Sequence, residues 1–262
     1  MSPARAFTAT APVRVADVGG WTDTWFARHG TVFSIAVEPL VTVRATSGGR
    51  DGGSEVVVHA PDVEAAPYGF DLHALPGRQP LLEAAIASAL PPGAAGIDVE
   101  VKAGVPPGCA TGTSGAVVVA LLAALDALGG QRPAARALAR RAHQVETEGL
   151  GLQSGVQDQL AAAHGGIYRF DVRYPEAFAH AVRVPPAALA DLDRRLVLVY
   201  LGHPHRSSAV HEEVIAGLAA RAAATEHPAL DRLRQAALAA TRAAADGDLA
   251  ALGRTWVDAT EA

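Results

Sequence analysis

The segment from Ile97 to Leu128 limits the fold of this chain more than any other. Ile97 to Ala103 alternates apolar and polar residues, the period of a half-buried strand. Val117 to Leu128 is nearly all Val, Leu and Ala, and it stops at Gly129-Gly130, a helix C-terminal signal. Between them runs Val105-Pro106-Pro107-Gly108-Cys109-Ala110-Thr111-Gly112-Thr113-Ser114-Gly115-Ala116, small and rich in hydroxyls. A strand, a glycine loop and a helix start in that order present free backbone N–H groups to an anion. Two readings are open: a phosphate-binding loop, or a strand-to-helix turn that uses glycine only for its backbone freedom.

The commonest phosphate loops are excluded. A Walker A motif places a lysine beside its last Ser or Thr, whereas Thr113 holds that place and Lys102 is the only lysine in the chain. The dinucleotide fingerprint G-x-G-x-x-G does not occur at this loop. What remains is a loop whose amides hold phosphates and whose Thr113 and Ser114 hydroxyls reach phosphate or a metal.

Chain length allows a substantial core, as one large domain or two smaller ones. Twenty-two basic against 27 acidic residues, a net charge of −5, give no electrostatic case for nucleic acid or an anionic membrane. The single cysteine, Cys109, forms no intrachain disulfide and suits a reducing compartment. Met1 to Ala11 lacks the apolar core of a signal peptide, and the longest apolar run, Ala116 to Leu125, is too short to span a bilayer. A cytoplasmic protein is expected.

Hydrophobic periodicity and Gly/Pro punctuation predict the elements. Thr31 to Ala45 and Glu55 to His59 read as strands in a hairpin-like pair across the Gly-rich turn Ser47 to Ser54. Helices are predicted over Pro80 to Leu90, Pro133 to Glu148 and Ser154 to His164, with a strand over Ile167 to Val172. An apolar strand, Leu196 to Leu201, opens a second part. Ala-rich helices come after it, over Ala209 to Thr225, Ala229 to Ala245 and Leu249 to Thr260.

Three motifs, in order, carry a family resemblance. Pro106-Pro107-Gly108 with Gly112-Thr113-Ser114-Gly115-Ala116 resembles the second motif of the GHMP kinases (galactokinase, homoserine kinase, mevalonate kinase and phosphomevalonate kinase). Ala11-Pro12-Val13-Arg14-Val15 with Gly19-Gly20-Trp21-Thr22-Asp23 is similar to the first, substrate-side motif. Gln157-Asp158-Gln159, followed by Ala161-Ala162-Ala163-His164-Gly165-Gly166, is similar to the segment that carries the catalytic aspartate. The Gly-Gly-x-Thr-Asp form is most like heptose-phosphate kinases and fucokinase-type sugar kinases. The resemblance implies an α+β fold: a ribosomal protein S5 domain 2-like ATP-binding domain over residues 1–175, and a C-terminal α+β domain over 176–262. Nothing after Gly217 is similar to the family's third, glycine-rich motif, so a partial C-terminal domain is expected.

The resemblance also implies roles. ATP would lie on Pro106, Gly108, Cys109, Ala110, Thr111, Gly112, Thr113, Ser114 and Gly115. Mg²⁺ would be bound by Ser114 and Glu146, the catalytic pair would be Asp158 and Arg14, and Gly20, Trp21, Thr22, Asp23, Gln157 and Arg206 would meet the sugar or sugar phosphate. Each has a plainer reading. Ser114 is also a helix-start hydroxyl, Glu146 a solvated helix carboxylate, and Asp158 a charge at a helix N-terminus. Thr22 and Asp23 also make a turn or a cap, Trp21 a core residue, and Arg206 a helix-capping neighbour. Ala110 stands where the family commonly has glycine, which restricts the loop backbone. The expected activity is ATP-dependent phosphorylation of a sugar hydroxyl. The alternative is a non-catalytic relative that binds sugar and nucleotide for regulation.

Overall fold

The computed structural model of the chain describes residues 4–48, 55–106, 108–200, 202, 214–217 and 227–262. One long strand organises it. Strand β2 (His29–Ser47) carries β1 (Ala6–Val18) along one edge. The other edge is shared: β5 (Ile97–Lys102) pairs with residues 42–47 and β6 (Ile167–Arg173) with residues 29–35. Strands β3 (Val56–His59), β4 (Tyr68–Phe70) and β7 (Glu176–Ala181) complete a seven-stranded sheet with the path β4-β3-β5-β2-β6-β7. All pairings are antiparallel except β3 with β5. That parallel pair is bridged by β4 and helix α1 (Pro80–Ala89), the crossover that parallel strands require.

Helices divide the length of β2 between them. Helix α2 (Thr113–Leu128) packs with α1 on its C-terminal half, on Val41, Val43 and Ala45. Ala116, Leu121 and Leu122 are fully buried there, which explains why α2 is apolar all round. Helices α5 (Pro186–Arg195), α6 (Pro228–Asp246) and α7 (Leu249–Thr260) pack on the N-terminal half, on Phe33 and Ile35. Helices α3 (Ala135–Gln144) and α4 (Gln157–His164) join Phe170, Val172 and Ala177 of the β6–β7 hairpin. That hairpin spans the expected domain boundary at residue 175.

Several expectations need correction. β2 and β3 are not a hairpin pair, because β5 lies between them. β5 satisfies the edges of both, a long-range choice that local periodicity does not encode. Residues 196–200 form no strand. Val197 is 75% and Val199 68% exposed, and no strand among the described residues pairs with them. The β-branched run has the propensity but lacks a partner. Helix α3 starts at Ala135 rather than Pro133 and passes into a π-helical turn, Val145–Gly149, while α4 starts at Gln157 rather than Ser154. Of the expected helix 209–225, residues 214–217 are helical and the rest lies outside the described residues.

Two glycines let the loop after β1 lie directly on β2. A Cβ on Gly30 would overlap the carbonyl oxygen of Thr22, and one on Gly19 (φ +97°) would overlap that of Thr31. Both obstacles are backbone, so neither can swing aside. Gly30→Ala is expected to destabilise the protein by about 1–3 kcal/mol, the range for forced overpacking. Urea unfolding of the two proteins measures it, and an unchanged midpoint would mean the loop is not held as described.

Candidate active site

A cavity of about 840 Å³ lies where the phosphate-type loop, the end of β1, the start of α4 and helices α6 and α7 converge. Residues 108–114 form one wall. Gly112 is the N-cap of α2 at φ +67°, and no side chain caps the first-turn amides. Such a helix start, without an acidic residue in its first turn, suits an anion. Ala110 adopts φ +61° although it has a Cβ, a conformation that costs about 1–2 kcal/mol. Its carbonyl accepts a hydrogen bond from Arg14 Nη1 at 2.8 Å, and the carbonyl of Thr111 accepts one from the Arg14 backbone N–H at 3.0 Å. The loop is thus stitched to β1. Thr111 Oγ1 lies 2.9 Å from Cys109 Sγ and 3.0 Å from Thr113 Oγ1, a small hydroxyl–thiol cluster along the same wall.

Arg14 and Asp158 meet at the end of this loop. Arg14 Nε and Nη2 donate to Asp158 Oδ1 at 2.9 and 2.7 Å, and Nη1 is ion-paired with Asp17. Burial disfavours the charged guanidinium, but these two carboxylates, with Asp23, hold it protonated beyond its ordinary range. Small residues permit the approach. A Cβ on Gly112 would come within 3.0 Å of Arg14 Nε, and one on Gly115 would contact Asp158 Cβ at 2.9 Å.

Asp23 acts across the chain as a helix cap. Its Oδ2 accepts from the backbone N–H groups of Val156 and Gln157 at 2.8 and 2.9 Å, satisfying donors that α4 leaves unpaired. Gly155 leaves room for it, since a Cβ there would overlap the carboxylate. Asp23 therefore aims the first turn of α4, and with it Asp158, at the cavity. Burial pushes the Asp23 carboxyl up to about 6, despite these amides. Thr22 is spent elsewhere: its hydroxyl donates to Gly19 O at 2.6 Å and accepts from Thr31 N–H at 3.2 Å.

Glu146 lies in the π-helical turn and is 6% exposed. Its Oε2 accepts from Ser154 Oγ at 2.7 Å and Gln159 Nε2 at 2.8 Å, while its Oε1 is buried without a partner. Burial raises its carboxyl to about 7. A carboxylate with one orphaned oxygen and a serine that lines the same cavity are the kind of donors a Mg²⁺ site takes. That ion needs only one or two protein ligands when phosphate oxygens and water supply the rest. Among the described residues no group of three or more His, Cys, Asp or Glu forms a denser metal cluster.

Of the residues singled out from sequence, Arg14, Gly20, Trp21, Asp23, Gly108 to Ser114, Glu146, Gln157 and Asp158 line this one cavity. Trp21 is half-buried on its wall rather than in the core, at φ +70°. Thr22, Pro106 and Gly115 are not among the lining residues. Gln159 turns away to Glu146, so two of the three residues Gln157 to Gln159 face the cavity. Arg206 lies outside the described residues, as does Pro107. Sequence reasoning missed Asp17, Ser154 and the wall from the C-terminal helices: Leu233, Trp256, Ala259 and Thr260. Trp256 and Leu233 look like ordinary apolar positions of amphipathic helices, and nothing in their spacing marks them.

Known proteins share this fold. The model of the GHMP kinases N terminal domain matches residues 81–166, from α1 to the end of α4. A D-glycero-D-manno-heptose 1-phosphate kinase from Bacteriodes thetaiotaomicron superposes with a TM-score of 0.75 at 18% identity, covering 98% of this chain and 80% of that one. Streptococcus pneumoniae phosphomevalonate kinase, in complex with phosphomevalonate and AMPPNP, gives 0.66 at 11% identity over 98% of this chain and 79% of its own. Lactococcus lactis galactokinase, complexed with galactose, gives 0.63 at 15% identity over 96% and 73%. At these identities the solved structures establish the fold. No curated protein matches the chain. No helix among the described residues is long and apolar enough to cross a membrane.

Burial of Asp23 gives the protein a pH signature. Between the unfolded value of 3.8 and the folded value of about 6, the native state keeps a proton that the unfolded chain has released. Stability therefore falls as pH rises through that window and stays lower above it. Asp23→Asn can still accept from the α4 amides but carries no charge. Its urea-unfolding free energy should decline less than that of wild type between pH 4 and pH 7.5, by about 1–3 kcal/mol. Equal declines in the two proteins would refute the assignment.

Proposed function

The chain carries a GHMP kinase N-terminal domain, and from that premise we propose that it transfers the γ-phosphoryl group of ATP to a hydroxyl of a sugar or sugar phosphate. The observation that carries the proposal is the meeting of Arg14 and Asp158 at the end of a loop built for phosphate. Phosphoryl transfer needs positioned phosphates, neutralised charge and an oriented nucleophile, and the cavity brings residues for each to one place.

In this reading the phosphates of ATP lie on residues 108–114, at the uncapped start of α2. Ser114 and the partnerless oxygen of Glu146 would hold Mg²⁺, which would supply charge neutralisation on the phosphates. Asp158 orients the acceptor hydroxyl and takes its proton as the new O–P bond forms and the bond to the β-phosphate oxygen breaks. Arg14 holds the Asp158 carboxylate in place through Nε and Nη2. Gly20, Trp21, Asp23 and Gln157 form the sugar side of the cavity. The Oε1 of Gln157 is buried without a partner, which suits a ligand hydroxyl. The polar, carboxylate-rich acceptor side favours a sugar-type acceptor over an apolar one. Residues 1–175 form the nucleotide-binding part in this proposal, and residues 176–262 supply α6 and α7 as the far wall. A cytoplasmic setting accords with a lone cysteine and ATP as co-substrate.

The test is Mg-ATP-dependent ADP release against heptose phosphates, fucose, galactose and arabinose. Asp158→Asn should lower kcat by about 10²–10⁴-fold while nucleotide affinity changes little. Turnover that survives in Asp158→Asn would refute the role of Asp158. Binding of ATP and sugar with no ADP release would replace the kinase by the non-catalytic reading.

A further inference from the structure

Asp17 takes no direct part in that phosphoryl transfer, yet it is built into the site with some care. It lies three residues from Arg14 on β1, and in a regular strand such residues point to opposite faces. The strand is not regular here. Val15 pairs with Ile35 and Val18 with Phe33, so residues 16 and 17 face the single residue Ser34. This β-bulge inserts one extra residue and re-aims the side chains after it. Asp17 is thereby turned to the side of Arg14, lines the cavity, and makes an ion pair with Nη1.

The consequence shows in how Arg14 holds Asp158. A guanidinium facing a carboxylate ordinarily makes two parallel bonds, one to each oxygen. In this protein both Nε and Nη2 fall on Oδ1. Among the described residues, no hydrogen bond reaches Asp158 Oδ2. The fork is displaced because its third corner, Nη1, is held by Asp17 and by the carbonyl of Ala110.

We propose that Asp17 is a positioning residue: its carboxylate anchors Arg14 off-centre, so that Asp158 Oδ2 stays open to the acceptor hydroxyl. This rests on the kinase reading, and it assigns to Oδ2 the acceptance of the proton. Without the anchor, Arg14 slides into the symmetric fork and covers the oxygen that must face the substrate. Asp17 is itself 12% exposed, and its Oδ1 is buried without a partner. A carboxylate left half-satisfied costs stability, so a purely structural role is a poor account of it. The groups that act on Asp17 are Arg14 on its own strand, Asp158 from α4, the Ser34 hydroxyl from β2 and Asp23 from the following loop. Burial outweighs Arg14 and pushes its carboxyl up to about 6.

Two variants and two readouts decide the matter. Asp17→Asn keeps a hydrogen-bond acceptor for Nη1 but removes the charge, and Asp17→Leu removes both. In the unliganded protein, the ¹⁵N-arginine side-chain spectrum reports the Arg14 Nε–H signal, identified by its loss in Arg14→Lys. That signal should move in both variants, with circular dichroism showing an intact fold. In turnover, kcat should fall at least 10-fold in both, with the acceptor KM within about 3-fold and nucleotide affinity unchanged. An unmoved Arg14 signal, or a normal kcat in Asp17→Asn, overturns the proposal. If wild type itself releases no ADP with any acceptor, the kinase reading fails, and the spectrum alone still decides whether Asp17 holds Arg14.

Discussion

The guanidinium of Arg14 is the point to which the rest of the site is fastened. The backbone N–H and Nη1 of Arg14 bind the loop before α2, its Nε–Nη2 edge binds α4 through Asp158, and Nη1 is shared with Asp17 in the bulge of its own strand. Three segments distant in sequence, around residues 14, 110 and 158, therefore share one cation. A lysine could not do this, because a point charge on a flexible stem lacks the planar fork that fixes three directions at once. The loop accepts a strained Ala110 to place its carbonyl on that fork. Strain of this kind persists where surrounding contacts over-determine the backbone, as they do here.

Charge at this point is arranged at a cost in stability. Asp17, Asp23, Glu146 and Asp158 line a cavity whose described walls contain one formal cation, Arg14. Three of the four are held above the ordinary carboxylate range by burial. Burying carboxylates in excess of cations costs free energy, and a fold under no other demand would replace them. Each excess carboxylate has a direction instead. Asp23 points at the amides of α4, Glu146 keeps one oxygen bare, and Asp17 draws the guanidinium aside. Perturbed groups gathered in a cleft are what acid–base and metal-assisted sites look like.

Much of this was legible in the sequence, for a physical reason. The strand–glycine loop–apolar helix run appears as read, because alternation, Gly112 and the all-apolar helix are local signals that tertiary contacts reinforce. The motif residues Arg14, Asp23, Glu146 and Asp158 do converge on one cavity. What was not legible is set by pairing over distance. The insertion of β5 between β2 and β3 depends on edges chosen across tens of residues. The unpaired 196–200 segment has a strand's composition without a strand's neighbour. Asp17 was invisible for a subtler reason. Strand periodicity places it away from Arg14, and only the bulge, which leaves no mark in the residue types around it, reverses that.

The length of β2 explains why the site lies where it does. Its C-terminal half belongs to α1 and α2, and its N-terminal half to α5, α6 and α7. The two helical groups pack on different stretches of one strand, and the cavity occupies the interval between them. Two register shifts fall at the same interval: between Pro12 and Val13, where residues 38 and 39 of β2 are the extra ones, and between Val15 and Val18, where β1 carries the extra residue. A bulge bends and twists its strand locally, so β1 turns from one helical group toward the other as it passes the cavity. Arg14 sits between these shifts and Asp17 within the second, on a strand that, like β2, touches both groups. The loop and start of α2 line the cavity from one helical group, and α6 and α7 line it from the other with Trp256, whose buried Nε1 has no partner. The two sides ride on separate packing surfaces, so α6 and α7 can vary in sequence without disturbing the contacts that fasten Arg14 to Asp158.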